Sequence, residues 1–436
     1  MYRTPLRRRI IPWLYVAAFI VLAPVLVFYT AGYRYNIKKA QIERNGTLIV
    51  DSTPNGAAVS IDDKSTGNKT PVTFQNIVPG WHHIRVDKDG YQSWDKWLEV
   101  RPELVTFANA IWLWKAQPAT ELALPGRFTA VSADPSRGKL ALFSASTSTT
   151  SLAYWIPGQT ELVSQTLAGY PANVIPVVRW RKDGQAILVN GLSSHSAGWW
   201  SYASNQSTSV QTPLPAAAFH WTGNEVVGSD AQHTYRIDPR TQAYTQESVP
   251  ASTVDASDNL TLQTNPRSAT LVLSDRSFLT KLFELPAGVW RFGDFESTSI
   301  LLTDGERWLC VDPKADPPTQ GILTGDVPRW LNRSSRPRAL FVNRNEVWSW
   351  DLGSNPTLLW RQSGTVVQAR WHRGGTSVFI ATPEQIFALD LDDRSGRTTT
   401  QIAAFDRIND FDLLGNTLYV AGTRQGQEGL WSVAVE

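Results

Sequence analysis

The chain has 436 residues, of which 42% are hydrophobic and 18% are charged, and this composition excludes a largely disordered protein. The length exceeds one ordinary core and predicts two or three domains. The formal net charge of +2 gives no reason to expect nucleic acid as a partner, since that requires clustered lysine and arginine.

An uncharged apolar run at 10–31 is the first predicted element. Its 22 residues make a helix of about 33 Å, at roughly 1.5 Å per residue, which is enough to cross a bilayer core. We predict a cytoplasmic tail at 1–9, a transmembrane helix at 10–31 with the lipid bilayer as its partner, and extracytoplasmic domains beyond it. The alternative is a cleavable signal peptide, whose apolar region is normally about 7–15 residues. The orientation depends on four arginines that no acid opposes: Arg3, Arg7, Arg8 and Arg9.

Two segments follow the apolar run. Residues 32–45 are polar and basic and have no hydrophobic period, which predicts a stalk. Residues 46–115 contain short runs of alternating polar and apolar side chains, separated by glycine and proline turns. This pattern predicts a small β-sandwich.

Five motifs within 46–115 occur in a distinctive order and spacing. Together they resemble the PEGA domain, with Asn55 where the motif that names the family has Glu. The resemblance implies a surface β-sandwich of an envelope protein that supports protein contacts. The motifs are Pro54-Asn55-Gly56-Ala57, Val59-x-Ile61-Asp62, Lys69-Thr70-Pro71, Pro79-Gly80-x-His82 and Val86-x-Lys88-Asp89-Gly90-Tyr91.

Residues 119–436 carry a weak repeat with a period near 40 residues. Trp180 and Trp221 are 41 residues apart, as are Trp330 and Trp371, and Phe411 follows Trp371 by 40. Such a period is typical of four-stranded propeller blades, and the tryptophan–turn–glycine pattern resembles TolB-type and WD-type propellers. We favour eight blades, although seven remain possible because the units near 253 and 289 match poorly. The predicted blades start near residues 128, 174, 216, 253, 289, 327, 366 and 407.

The last repeat unit lacks a fourth strand, and the segment 119–124 is available to supply it. Pairing between the two ends of the repeat region closes a ring and removes an open sheet edge. The fold class predicted from the sequence is therefore all-β: a PEGA-like sandwich at 46–115 and a propeller at 119–436, preceded by one transmembrane helix.

We predict no catalytic residues, no metal site and no cofactor. The sequence has no nucleophile elbow, phosphate-binding glycine loop or zinc-spaced cluster. Cys310 is the single cysteine and alternates inward on a predicted strand, so a buried structural role is expected. His82 and His83 point to opposite faces of a strand, and the spacing of Asp390, Asp392 and Asp393 departs from that of a calcium loop.

Four cationic side chains recur just before the aromatic residue of a repeat unit, on the predicted innermost strand. In one interpretation they converge on the central channel and bind an anionic or glycan ligand. In the other, each pairs with an acid such as Asp183, Asp410 or Asp412 and stabilises the blades. The four residues are Arg179, His220, Arg329 and Arg370.

These features predict a membrane-anchored, non-enzymatic binding or scaffold protein on the outer side of the cell membrane. Its expected partner is an envelope protein or a cell-wall glycan. The alternative is a hydrolase or lyase that acts on glycan within the propeller, since this fold also carries enzymes.

Overall fold

The fold is that of a computed structural model of the chain. The described residues are 6–30, 33–36, 41–134, 136, 138–147, 149–160, 162–167, 170, 176–190, 199–202, 209–211, 218–222, 224–229, 234–241, 243–247, 260–265, 268–274, 280–288, 290–296, 299–311, 319–326, 328–331, 338–351 and 354–436. The chain divides into two compact units, 1–117 with 392–397, and 118–391 with 398–436.

The helix α1 (Leu6–Thr30) begins earlier than the predicted span at 10–31, because it includes the arginines at 7–9, which are good helix formers. Within the described part of the chain, no helix combines the length and the hydropathy needed to cross a membrane. The transmembrane span predicted from the sequence is therefore not supported.

The strands of the first unit form three sheets. The segment predicted as a stalk contains an antiparallel pair, β1 with β2. The β-sandwich consists of the sheets β5-β4-β7-β8 and β6-β3-β9, with β3 and β9 parallel. The strands are β1 (Tyr33–Asn36), β2 (Gln41–Arg44), β3 (Gly46–Thr53), β4 (Ala58–Ile61), β5 (Lys64–Lys69), β6 (Val72–Ile77), β7 (Gly80–Asp87), β8 (Trp94–Val100) and β9 (Val105–Trp112).

Alternation along the strands builds the core of this sandwich. In β8, Trp94, Lys96 and Leu98 are buried, while the residues between them are exposed. The apolar members pack against Leu48 and Ile84 from the two sheets. The outward residues of β7 and β8 therefore share one solvent-facing side of their sheet.

The described residues of the second unit form eight successive sheets, which we call blades 1 to 8. Seven of the eight predicted blade starts lie within three residues of the first strand of a blade, whereas the start predicted near 253 lies seven residues before it. The strands of blades 1 to 4 are β11 (Ala130–Ala133), β12 (Leu140–Ala145), β13 (Thr150–Trp155), β14 (Val163–Leu167); β15 (Val177–Trp180), β16 (Ala186–Asn190), β17 (Trp199–Tyr202), β18 (Ser209–Gln211); β19 (Ala218–Thr222), β20 (Glu225–Ser229), β21 (Thr234–Ile237), β22 (Tyr244–Glu247); β23 (Leu260–Asn265), β24 (Ser268–Ser274), β25 (Thr280–Leu285).

Blades 5 to 7 each have four strands in chain order, and blade 8 combines three late strands with β10 (Thr120–Pro125), which precedes blade 1. The remaining strands are β26 (Arg291–Glu296), β27 (Ser299–Thr303), β28 (Arg307–Val311), β29 (Thr319–Thr324); β30 (Arg329–Leu331), β31 (Arg338–Asn343), β32 (Glu346–Asp351), β33 (Thr357–Arg361); β34 (Gln368–Trp371), β35 (Ser377–Ala381), β36 (Gln385–Asp390), β37 (Thr399–Ala404); and, in blade 8, β38 (Arg407–Leu414), β39 (Thr417–Arg424) and β40 (Gln427–Ala434).

The predicted closing strand is confirmed by the pairing within blade 8. β10 pairs antiparallel with β40, from Thr120 opposite Val433 to Pro125 opposite Gly429. The first strands of neighbouring blades also contact each other where blades 6, 7, 8 and 1 meet. This arrangement is expected for strands that surround the axis of a propeller.

Candidate functional site on the inner strands of the propeller

The cations predicted as a ligand site occupy one register position on the first strands of their blades. Arg179 lies opposite Leu188, Arg329 opposite Leu340 and Arg370 opposite Phe379. Each is followed by a tryptophan, so the repeat found in the sequence corresponds to a structural repeat. His220 also belongs to a first strand, where its backbone pairs with Val227, but its side chain lies outside the described residues.

The tryptophan that follows each cation turns towards the preceding blade. Trp221 Nε1 donates to the carbonyl oxygen of Arg179 at 2.9 Å, and Trp371 Nε1 donates to that of Arg329 at 2.9 Å. Adjacent side chains of a strand point to opposite faces, and the faces of a blade look onto its two neighbours. The described cations of this set, Arg179, Arg329 and Arg370, are therefore directed to the following blade.

Arg370 follows this rule and reaches blade 8. Its Nε lies 3.2 Å from Asp412 Oδ1, and its Nη2 lies 3.6 Å from Asp410 Oδ1. The side chains of Arg370 and Asp410 are only 8% and 10% exposed. The interpretation that these cations pair with acids is therefore correct for Arg370, which is held between two blades.

Both carboxylates also bind the backbone. Asp410 Oδ2 accepts from Val131 N at 3.1 Å, and Asp412 Oδ2 accepts from Ala133 N at 2.9 Å, which ties blade 8 to blade 1. Burial raises the pKa of Asp410, although the nearby guanidinium of Arg370 acts in the opposite direction. The two acids consequently connect blades 7, 8 and 1.

Arg329 differs from Arg370 because it has no ion pair in the described part of the chain. Its buried Nε has no hydrogen-bond partner among the residues that the structure describes, while the residue as a whole is half-buried. The pKa of Arg329 is lowered to about 10, mainly because the side chain is buried and secondly because Arg370 repels it. The carboxylates of Asp410 and Asp412 oppose this shift. Arg329 is thus a guanidinium with unused donor capacity.

The acid predicted to pair with a cation in blade 2 has a different partner. Asp183 lies 2.7 Å from Arg181, not from Arg179, because the two residues belong to the turn after β15. Arg181 in turn lies over the ring of Trp221. Ligand binding by Arg179, His220, Arg329 and Arg370 remains a prediction.

The sequence analysis named Asp410 as an acid that could pair with one of these cations, but it did not place Asp410 at the repeated position itself. Asp410 precedes Phe411 as Arg370 precedes Trp371, so the 40-residue repeat places an acid in blade 8 where blades 6 and 7 have arginine. Aligning the repeat units would have shown that it occupies the position of Arg370. An unpredicted cluster joins Glu436 to His372, with Nε2 and Oε1 2.8 Å apart, and to Arg373 Nη2 at 2.5 Å.

The histidine pair of the first unit is engaged in hydrogen bonds. His82 Nδ1 and Asp62 Oδ2 are 2.7 Å apart, whereas the ring nitrogens of His83 each lie 3.2 Å from a carboxylate, of Asp63 and of Asp95. The hydrogen bond with Asp95 is the main reason why the pKa of His83 is raised. No group of three metal-ligating side chains occurs within the described ranges.

Comparison with known proteins confirms the resemblance of the first unit. Residues 45–110 match the family model of the PEGA domain. No curated protein has a matching sequence. Among solved structures, Sqt1 from Saccharomyces cerevisiae is 10% identical and covers 73% of this chain and 98% of its own, with a TM-score of 0.43. Hsv2p from Kluyveromyces lactis is 9% identical and covers 57% of this chain and 89% of its own, with a TM-score of 0.33. Because both TM-scores are low, the propeller assignment rests on the strand pairing described above.

Proposed function

We propose that the chain is a non-enzymatic binding or scaffold protein of the cell envelope, and that its propeller binds an anionic group at Arg329. The observation that carries this proposal is the state of Arg329, a half-buried guanidinium without an ion pair in the described part of the chain. The PEGA match at 45–110 supports an envelope protein with binding functions. An anion bound to Arg329 supplies hydrogen-bond acceptors that the described residues do not provide.

The arrangement of the acids favours binding over the hydrolase or lyase alternative. A glycan-cleaving site needs carboxylates that are available to the substrate. Asp410 and Asp412 instead accept backbone hydrogen bonds with both oxygens and share Arg370. Their roles are therefore structural.

Titration of the full chain with a muramyl peptide, an acidic cell-wall fragment, tests this binding. We expect weak binding that decreases with salt, and a loss of about tenfold or more in Arg329→Ala. Isothermal titration calorimetry measures the affinity. Arg329→Ala is expected to fold normally, because it removes an unpaired charge beside Arg370.

Arg361→Ala is the matched control, since Arg361 lies in the same blade but is 60% exposed and pairs with Glu346. It should bind the peptide like the unmodified chain. Equal affinity of the Arg329→Ala variant, or no binding by the unmodified chain, would refute the anion site.

We further propose that the chain is anchored in the cell membrane with both β-units outside the cytoplasm. The uncharged run at 10–31 and the unopposed arginines before it support this orientation. In the folded chain, Trp13, Phe19 and Leu26 of α1 are exposed apolar side chains. Protease added to spheroplasts should digest the propeller, whereas a cytoplasmic marker protein stays intact. Complete protection of the propeller would overturn this topology.

A further inference from the structure

The sheet β5-β4-β7-β8 of the first unit carries two exposed tryptophans on its outer side. Trp81 is 60% exposed and Trp97 is 51% exposed. Trp81 lies opposite Glu99, and Trp97 lies opposite His83, so the two rings are diagonal neighbours on adjacent strands. Diagonal neighbours of an antiparallel pair are about 7–8 Å apart, within reach of one small ligand.

The ring of Trp97 is held in place by the residues beside it. His83 stacks against it with ring centroids 5.1 Å apart and an angle of 21° between the planes. Carboxylates of Asp63 and Asp95 fix the two nitrogens of that imidazole at 3.2 Å. One face of the Trp97 indole is therefore supported by the protein, and a ligand that stacks on the ring finds it already oriented.

Charged residues around the tryptophans compensate each other. Arg85 Nε donates to both oxygens of Asp87 at 2.9 and 3.0 Å, and Arg101 Nε donates to Glu99 at 3.0 Å. This balance gives the surface no strong attraction for an anionic lipid or polymer. A protein interface would bury these charges, and charged residues are depleted from the cores of such interfaces. The surface fits a neutral ligand that remains partly hydrated.

We propose that the face formed by Trp81, His83, Trp97 and Glu99 binds a neutral oligosaccharide. The electron-rich indole faces attract the polarised C–H groups on the flat side of a sugar ring. The carboxylates of Asp95 and Glu99 accept hydrogen bonds from sugar hydroxyl groups. The site belongs to the first unit, needs no residue of the propeller and goes beyond the anion site at Arg329.

The test uses the full chain and two neutral probes, a tetramer of N-acetylglucosamine and a tetramer of glucose. Saturation-transfer NMR detects binding, and titration gives the affinity. We expect binding of at least one probe, a loss of about tenfold or more in Trp97→Ala and in Trp81→Ala, and partial retention in Trp97→Phe. Because the ligand is uncharged, salt should leave the affinity unchanged.

Two control variants separate this site from other surfaces. Phe107→Ala removes an exposed aromatic ring from the other sheet of the sandwich and should retain the sugar affinity. Arg329→Ala should also retain it, while losing the muramyl peptide. No binding of either tetramer by the unmodified chain, or an affinity of both tryptophan-to-alanine variants equal to that of the unmodified chain, would overturn the proposal. Retained sugar binding with no peptide binding would refute the anion site alone.

Discussion

Deletion of residues 119–124 is expected to destabilise the propeller by on the order of 4 kcal/mol. It removes four of the five positions at which β10 pairs with β40, and each hydrogen bond of a strand ladder contributes about 1 kcal/mol. The deletion also leaves β40 as an open edge, which promotes association between chains. Urea denaturation followed by circular dichroism measures the first effect, and light scattering detects the second.

A point substitution at Gly429 tests the same strand pair without shortening the chain. A Cβ at this position would lie 2.6 Å from the backbone oxygen of Leu124, so Gly429→Ala forces β10 away from β40. We expect a loss of about 1–3 kcal/mol. Gly364→Ala is the matched control, because its added Cβ meets no atom closer than 3.9 Å. An unchanged unfolding midpoint in the deletion variant would contradict closure of the ring by β10.

Arg370→Ala is expected to cost about 3–5 kcal/mol, because it leaves the buried carboxylate of Asp410 beside Asp412 without its cation. Chemical denaturation of the full chain measures the loss. Arg361→Ala removes a shorter but exposed ion pair, 2.7 Å to Glu346, from the surface of the neighbouring blade, and it should cost no more than about 1 kcal/mol. Equal losses in the two variants would show that Arg370 does not connect the blades.

The pH dependence of stability tests the same pair through its acid. The folded state raises the pKa of Asp410 above that of the unfolded chain, so the folded chain binds more protons between the two values. The contribution of Asp410 to the free energy of unfolding therefore falls as pH rises from the ordinary aspartate pKa through the raised one. Asp410→Asn should remove this fall, and Arg370→Ala should enlarge it. Difference curves against the unmodified chain isolate the effect from other acids.

Several features of the fold could be predicted from residue patterns, since they depend on local backbone preferences. Alternation and turn residues predicted the strands of the PEGA-like sandwich, and the 40-residue period predicted where each blade begins. The last repeat unit shows only three strands, and this identified 119–124 as the fourth, because an unpaired edge is unfavourable in any propeller. These inferences need only the spacing of apolar and turn residues in the sequence and the rule that strand edges pair.

The environment of each functional side chain depended on the tertiary structure. The sequence places arginine before tryptophan, but the alternation of a strand between two neighbouring blades sends the two side chains in opposite directions. Arg370 consequently pairs with Asp410, which is 40 residues away, whereas Arg329 is repelled by Arg370 and forms no ion pair in the described ranges. Likewise, Trp81 and Trp97 are distant in sequence, and only the register of β7 against β8 makes them neighbours. Pairing across strands and blades is a long-range property, and it decides which charges are compensated and which rings remain open to a ligand.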